Sequence, residues 1–227
     1  KMDTPFKEIL SLDLYQLLKP CQSLFKLSKM KQPDLENFVG IHNRKYCDGG
    51  QCIRLYKTFM KKKDPEAANI VMGHNEEDLL GLGTIFSLLA YKKLYDGEYH
   101  PKQCVILEQE LKIVIELSAA APVNVSCGNS DFYLSVNGYE ARMLVHLKEG
   151  KLRQYYRNYK DYEFIPGEDT AMPKSITRYM DKSLKIATTP QTCYTWFNCD
   201  EDFLNNEKKQ MQYLTHTLPF FLDNLNK

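Results

Sequence analysis

The stretch GHNEEDLLGLGTIFSLLAY (residues 73–91) sets a histidine and an aspartate four residues apart, His74 and Asp78, on the apolar side of a helix. At 3.6 residues per turn the two share a face, and Leu82, Ile85, Phe86 and Leu89 fall within about 80° of Asp78. A bare carboxylate turned toward a core is costly unless it is paired, protonated or bound to a cation. One chemistry fits the constraint: the carboxylate holds a hard divalent cation, and the imidazole takes a proton from water near neutral pH. Gly81, one turn further on, keeps the neighbouring surface low enough for another backbone or a substrate to approach. On residue types alone the pattern H-x-x-x-D arises readily by chance. A structural histidine beside a helix-terminal aspartate is then the favoured reading.

Two further groups of residues suit an anionic partner. KTFMKKK (57–63) gathers Lys57, Lys61, Lys62 and Lys63, and KLSKMK (26–31) is nearly as basic. Such runs fit a polyanion, although a solvated helix face is the commoner cause. RQYYRNYKDYEF (153–164) interleaves Arg153, Arg157 and Lys160 with tyrosines, next to Glu168, Asp169 and Lys174 of PGEDTAMPKS (166–175). Bases can stack on such rings while the cations meet phosphates. Cross-strand packing on a small sheet accounts equally for the tyrosines and is favoured. The acidic run NCDEDF (198–203) reads as a solvated turn and not a metal site.

The elements that must position these residues change in kind near residue 100. Before it the chain is expected to be helical: a short helix closed by Gly40 after Asp34, another over IRLYKTFM (53–60), and a third started by Asp64-Pro65. The third runs toward Gly73, and a continuing segment reaches about Tyr95. After Asp96-Gly97 the pattern turns to strands. VILEQELKIVIEL (105–117) reads as one long β-rich run, and Asn137-Gly138 as a hairpin between FYLSV (132–136) and YEARMLVHL (139–147). Glu149-Gly150 then leads into KLRQYY (151–156). Three or four antiparallel strands follow, with a helix opened by Pro173 and a terminal amphipathic helix over about 207–224.

Bulk properties narrow the function classes. The 227 residues are 43% apolar, enough for a real core. No run of 18 apolar residues occurs, and KMDTPFKEIL (1–10) has no signal-peptide pattern, so a cytoplasmic protein without a membrane span is expected. Seven cysteines, an odd number with no C-x-x-C pair, argue for reduced thiols over disulfides or a zinc ribbon. The net charge of +1 conceals an asymmetry. Residues 1–63 hold 13 Lys and Arg against 6 Asp and Glu, a surplus of +7, and residues 64–227 hold 17 against 23, or −6.

Residues 5–99 resemble the YprB-type ribonuclease H-like family, the predicted-exonuclease branch related to DEDD 3'–5' exonucleases. The resemblance is carried by DLYQLLKPCQSLFKLSKMKQPDLENFVGI (13–41), CDGGQCIRLYKTF (47–59) and above all DPEAANIVMGHNEEDLLGLGTIFSLLAY (64–91). The second half is similar to clostridial members through YYRNYKDYEFIPGEDTAMPKSITRYMDK (155–182) and TCYTWF (192–197).

The resemblance implies that Asp78 is the metal-binding aspartate of the third exonuclease motif and that His74 is the candidate general base. It implies a cofactor of two Mg2+ or Mn2+ ions, a DNA or RNA substrate and phosphodiester hydrolysis. One aspartate cannot hold two hydrated magnesium ions, and such a site takes about four carboxylates. The family places its first pair as D-x-E on an opening strand, with a further aspartate near N-G-x-x-F-D, and neither pattern precedes His74 here. Asp13 reads as structural, and HNRKYCDGG (42–50) as a loop.

The expectation is therefore an α+β chain. Residues 1–99 form the helical C-terminal portion of a ribonuclease H-like domain, and residues 100–227 a mixed, antiparallel β-rich domain. The chain is expected to be the C-terminal part of a longer exonuclease and inactive alone. The competing class is a non-catalytic nucleic-acid-binding or protein-interaction module.

Overall fold

A computed structural model describes residues 11–42, 44–46 and 49–225. KMDTPFKEIL and Cys47 lie outside the described residues, and Cys21, Cys104, Cys127, Cys193 and Cys199 are free thiols. The fold is α+β, with a helical first part and a β-rich second part. The helices are α1 (Leu14–Leu18), α2 (Gln22–Phe25), α3 (Gln32–Phe38), α4 (Gly49–Lys62), α5 (Pro65–Ile85) and α6 (Leu89–Asp96). Asp13 caps α1 by accepting from the Gln16 N–H at 3.1 Å, which is a structural task. Gly97 then closes α6 in the left-handed conformation at φ 87°. No described helix is long and apolar enough to cross a membrane.

Among the described residues, eight strands follow in three antiparallel sheets. β1 (Tyr99–Leu107), β2 (Glu110–Gly128) and β3 (Phe132–His146) form the largest, in that order. β4 (Lys151–Tyr155) pairs with β8 (Tyr194–Asn198). β5 (Tyr162–Ile165) sits between β6 (Thr170–Pro173) and β7 (Ile186–Ala187). One helical turn, α7 (Lys174–Thr177), follows β6. The short α8 (Glu201–Leu204) precedes the terminal α9 (Glu207–Asp223), which matches the amphipathic helix expected there.

Two strand readings are corrected. VILEQELKIVIEL is not one run: the chain reverses at Glu108-Gln109, with Glu108 at φ 56°, so that Leu107 faces Glu110 across the turn. Asn137-Gly138 is not a hairpin, because β3 continues straight through it. From the Glu116–Glu140 pair to the Val125–Val136 pair, β2 advances nine residues while β3 advances four. Gly138, at φ 54°, lies within this irregular stretch opposite Ala121. A glycine in the left-handed region serves such a bulge as well as it serves a turn. Glu149-Gly150 does form a tight turn, with reciprocal backbone bonds between Lys148 and Lys151 at 3.0 and 3.1 Å.

The bulge leaves ladder groups of β2 without a strand partner, and α6 meets them. The Tyr91 hydroxyl donates to the Val123 carbonyl and accepts from the Val123 N–H at 3.3 Å. Tyr91 is fully buried and meets Phe25 edge-on at 5.1 Å. One apolar cluster continues across residue 99 and joins Leu18, Leu24, Phe25 and Leu94 to Ile113, Ile115 and Met143 of the sheet. Tyr213, Leu218 and Phe221 of α9 belong to the same cluster.

The helix wheel predicts that Leu82, Ile85, Phe86 and Leu89 all pack under a sheet. Ile85 is buried and Leu89 half-buried, but Leu82 and Phe86 are exposed at 40% and 53%. A 3-10 turn over Phe86–Leu88 ends α5, so α6 continues on a shifted phase. Tyr91→Phe is expected to lower stability by about 1–2 kcal/mol, because it strands the Val123 backbone groups. Urea unfolding measures it, and an unchanged midpoint would remove Tyr91 as the support of the bulge.

Candidate functional site

Asp64 caps α5 by accepting from the Glu66 N–H at 3.0 Å, and Pro65 fills the first helical position. The helix runs unbroken through Gly73. Four of its residues, Gly73, Glu77, Asp78 and Gly81, meet the segment that ends α3 and follows it. The Tyr46 ring lies where a Cβ on Gly73 would be, only 2.2 Å from its Cζ. The Glu36 carboxylate sits against Gly81 in the same way, 1.9 Å from that imagined Cβ. Neither position can carry a side chain without displacing its neighbour. Between them, Glu77 accepts from the backbone N–H groups of Lys45 and Tyr46 at 2.7 and 3.3 Å.

The centre of the arrangement is Arg44, to which residue types alone assigned no role. Its Nε and Nη2 donate to the two oxygens of Glu36 at 2.8 and 2.6 Å, and its Nη1 donates to Asp78 Oδ1 at 2.6 Å. Gln32 Nε2 adds bonds to Glu36 Oε1 and to the Asp78 carbonyl, both at 2.9 Å. A fork-shaped guanidinium suits this task, since it reaches two carboxylates on different helices at once. Asp78 therefore faces inward because Arg44 meets it there.

The two acids are held differently. The Glu36 side chain is 3% exposed, whereas that of Asp78 is 36% exposed. Burial alone would raise the Glu36 carboxyl, but hydrogen bonds from Arg44 and Gln32 outweigh it and hold it below the ordinary carboxylate range. The same bond to Glu36, with a weaker contribution from Asp78, raises Arg44 further above its already high value. His74 Nε2 approaches Asp78 Oδ2 at 3.4 Å, and its buried Nδ1 has no protein partner among the described residues.

These residues alone do not make up a two-metal centre. Asp78 gives one oxygen to a guanidinium and the other faces an imidazole, and a divalent cation there would lie beside the fixed charge of Arg44. Among the described residues no group of three or more His, Cys, Asp and Glu side chains is placed to hold a metal ion.

The other residues singled out from the sequence take no part in the hydrogen bonds around Arg44 and Asp78. Lys57, Lys61 and Lys62 are exposed on α4, and Lys63 follows it with its ammonium 5.5 Å from the Phe59 ring. Arg153 on β4 is engaged within the protein. Its guanidinium lies 4.8 and 4.7 Å from the ring centroids of Tyr194 and Trp196 and 3.7 Å from Asp131. Arg157 is engaged too, by the Tyr95 hydroxyl at 2.5 Å and Asp223 at 3.6 Å. Lys160 is exposed, on the 3-10 turn before β5.

Arg44→Met should destabilise the chain by about 3–5 kcal/mol, since it leaves the buried Glu36 charge without its partner. Asp78→Asn should cost less than about 1 kcal/mol, because water screens a half-exposed carboxylate. The acid limb follows from the lowered Glu36 value. Its contribution is complete above the ordinary carboxylate value of 4.5 and is lost as the pH falls through the lower folded value. Glu36→Gln should flatten the loss of stability below pH 4.5, measured as unfolding midpoint against pH.

A family model described as RNase_H superfamily matches residues 1–90. No curated protein and no solved structure matches the chain. The matched segment holds Arg44, His74, Asp78 and the α4 lysines, and the match supports a ribonuclease H-like assignment for it, with the nuclease-like function and nucleic-acid substrate that this suggests.

Proposed function

We propose that this chain belongs to a YprB-type, metal-dependent 3'–5' exonuclease acting on DNA or RNA. Residues 1–99 are the helical part of its ribonuclease H-like domain, and residues 100–227 are a C-terminal domain. Asp78 and His74 make one wall of the active site. The other carboxylates that a pair of Mg2+ or Mn2+ ions requires come from a further part of the protein, and the chain alone is inactive.

The observation that carries this reading is the apolar surface left in solvent beside Asp78. Leu82 of α5 and Phe86 of the 3-10 turn that follows it, with Leu12 and Tyr15, line an open hollow of about 810 Å3, and Leu79 next to Asp78 is also exposed. An apolar face of this kind suits a covering layer. In the whole enzyme we assign that layer to the sheet bearing the D-x-E carboxylates. Lys57, Lys61, Lys62 and Lys63 would lie along the strand, through phosphate contacts.

One observation favours the second class, a non-catalytic nucleic-acid-binding module: Arg44 already neutralises Asp78. The longer protein separates the two. Asp78→Asn should abolish Mn2+-dependent trimming of a labelled 3' end while the unfolding midpoint stays within the error of the parent. Undiminished trimming in that variant removes Asp78 from the mechanism. Retained binding with no trimming by the parent itself assigns the module.

A further inference from the structure

A cleft of about 570 Å3, a size typical of ligand sites, opens around β5 and β7, far along the chain from the matched segment. Four lysines line it: Lys160 on the turn before β5, Lys174 at the start of α7, and Lys182 and Lys185 before β7. The lining carries one carboxylate, Glu163, for a local surplus of three positive charges among these residues. Glu163 is already engaged, since it accepts from Lys185 Nζ at 2.8 Å and from the Thr177 hydroxyl. Lys185 also donates to the Thr177 carbonyl at 2.7 Å, which holds it as part of the wall.

The neighbouring acids are turned to local tasks. Asp161 accepts from Asn158 Nδ2 at 3.1 Å, and Asp181 accepts from the Ser183 N–H and hydroxyl, both at 2.8 Å. Lys160, Lys174 and Lys182 thus line the cleft with no ion pair of their own among the described residues. An anion bound among these exposed lysines would meet a local surplus of positive charge.

Aromatic rings line the same cleft. Tyr159 and Tyr162 form part of its wall, and Tyr162 is fixed from behind by Tyr156, with centroids 5.1 Å apart and planes within 15°. A ring held by a second ring is a preformed platform for a nucleobase.

We propose that this lysine cleft is a second nucleic-acid site that binds a single strand, with Lys160, Lys174 and Lys182 on successive phosphates and Tyr159 and Tyr162 against bases. It rests on the reading above only for the class of ligand, and it requires no catalysis. It also differs from the groove over residues 153–164, which the sequence offered as the less favoured reading. Arg153 and Arg157 are consumed by internal contacts, while Lys160 serves with lysines brought in from residues 174 and 182.

The test uses this chain and a fluorescein-labelled single-stranded oligonucleotide of about 12 nucleotides, as oligo-dT and as oligo-U, read by fluorescence polarisation. Lys160→Gln, Lys174→Gln and Lys182→Gln combined should weaken binding at least about tenfold near 0.1 M salt. They should also reduce the slope of log K against log salt by about 2, at roughly 0.7 per phosphate contact. Lys185 stays in place because it supports Glu163, and an unchanged unfolding midpoint confirms that the variant folds.

The comparison variant carries Lys57→Gln, Lys61→Gln and Lys62→Gln on α4. If it alone loses affinity and the cleft variant does not, the cleft proposal is overturned while the nucleic-acid reading stands. No oligonucleotide binding by the parent chain also overturns it. So does cleft-dependent binding to phosphatidylserine-containing vesicles without binding to either oligonucleotide, which would make the cleft a lipid-headgroup site.

Discussion

The way α3 meets α5 depends on one guanidinium. α4 contributes a single buried side chain, Cys52, and α5 buries only Ala67, Gly73, Gly81 and Ile85. Apolar burial on that scale stabilises a two-helix layer weakly. The layer is instead tied by polar groups: Arg44 joins Glu36 of α3 to Asp78 of α5, and Glu77 receives two backbone N–H groups of the loop between them. The two glycines follow from this, because Tyr46 and Glu36 occupy the space that side chains at 73 and 81 would need. A buried ion pair adds little net stability when it forms but is severe when half of it is lost. The pair therefore fixes how α3 and α5 meet more than how strongly they hold.

The β-rich half is organised by the opposite means. Leu111, Ile113 and Ile115 alternate inward along β2, and Ala141, Met143 and Val145 do so along β3, against α9. The irregular middle of β2 gives up ladder bonds and takes two from Tyr91 instead. A single phenol thereby couples the helical segment to the sheet. The exposed Leu82 and Phe86 begin one turn before this anchored region, where α5 leaves the common core.

What the sequence disclosed and what it hid divide by range. Capping at Asp64-Pro65, the end of α6 at Gly97, the terminal helix and the change from helix to strand near residue 97 are local events, set by residues within a turn or two. The turn at Glu108-Gln109 is also local but carries no Gly, Pro or Asn to mark it. Asn137-Gly138 carries that mark and forms no turn, because pairing with β2 along both flanks outweighs the local preference. Arg44 and Asp78 are 34 residues apart, so no local pattern joins them. Their pairing was foreshadowed only by a carboxylate that required a partner. His74 and Asp78 do meet as their spacing implied, but the spacing could not say that a guanidinium would share the aspartate.

Charge was the least legible property, for a physical reason. Segment totals of +7 and −6 invite the conclusion that an anion meets the first 63 residues and avoids the rest. Screening limits such a total: at physiological salt the Debye length is about 8 Å, so a bound phosphate responds to the few charges nearest it. In the acidic segment those neighbours can still be lysines, as around β5 and β7, where the nearby carboxylates are spent on Ser183, Asn158 and Lys185. In the basic segment, Arg44 is unavailable to a ligand because Glu36 and Asp78 hold it. What decides where an anion binds is how many cations remain after the fold has paired its own, and that number is fixed by tertiary contacts that no sum over a sequence contains.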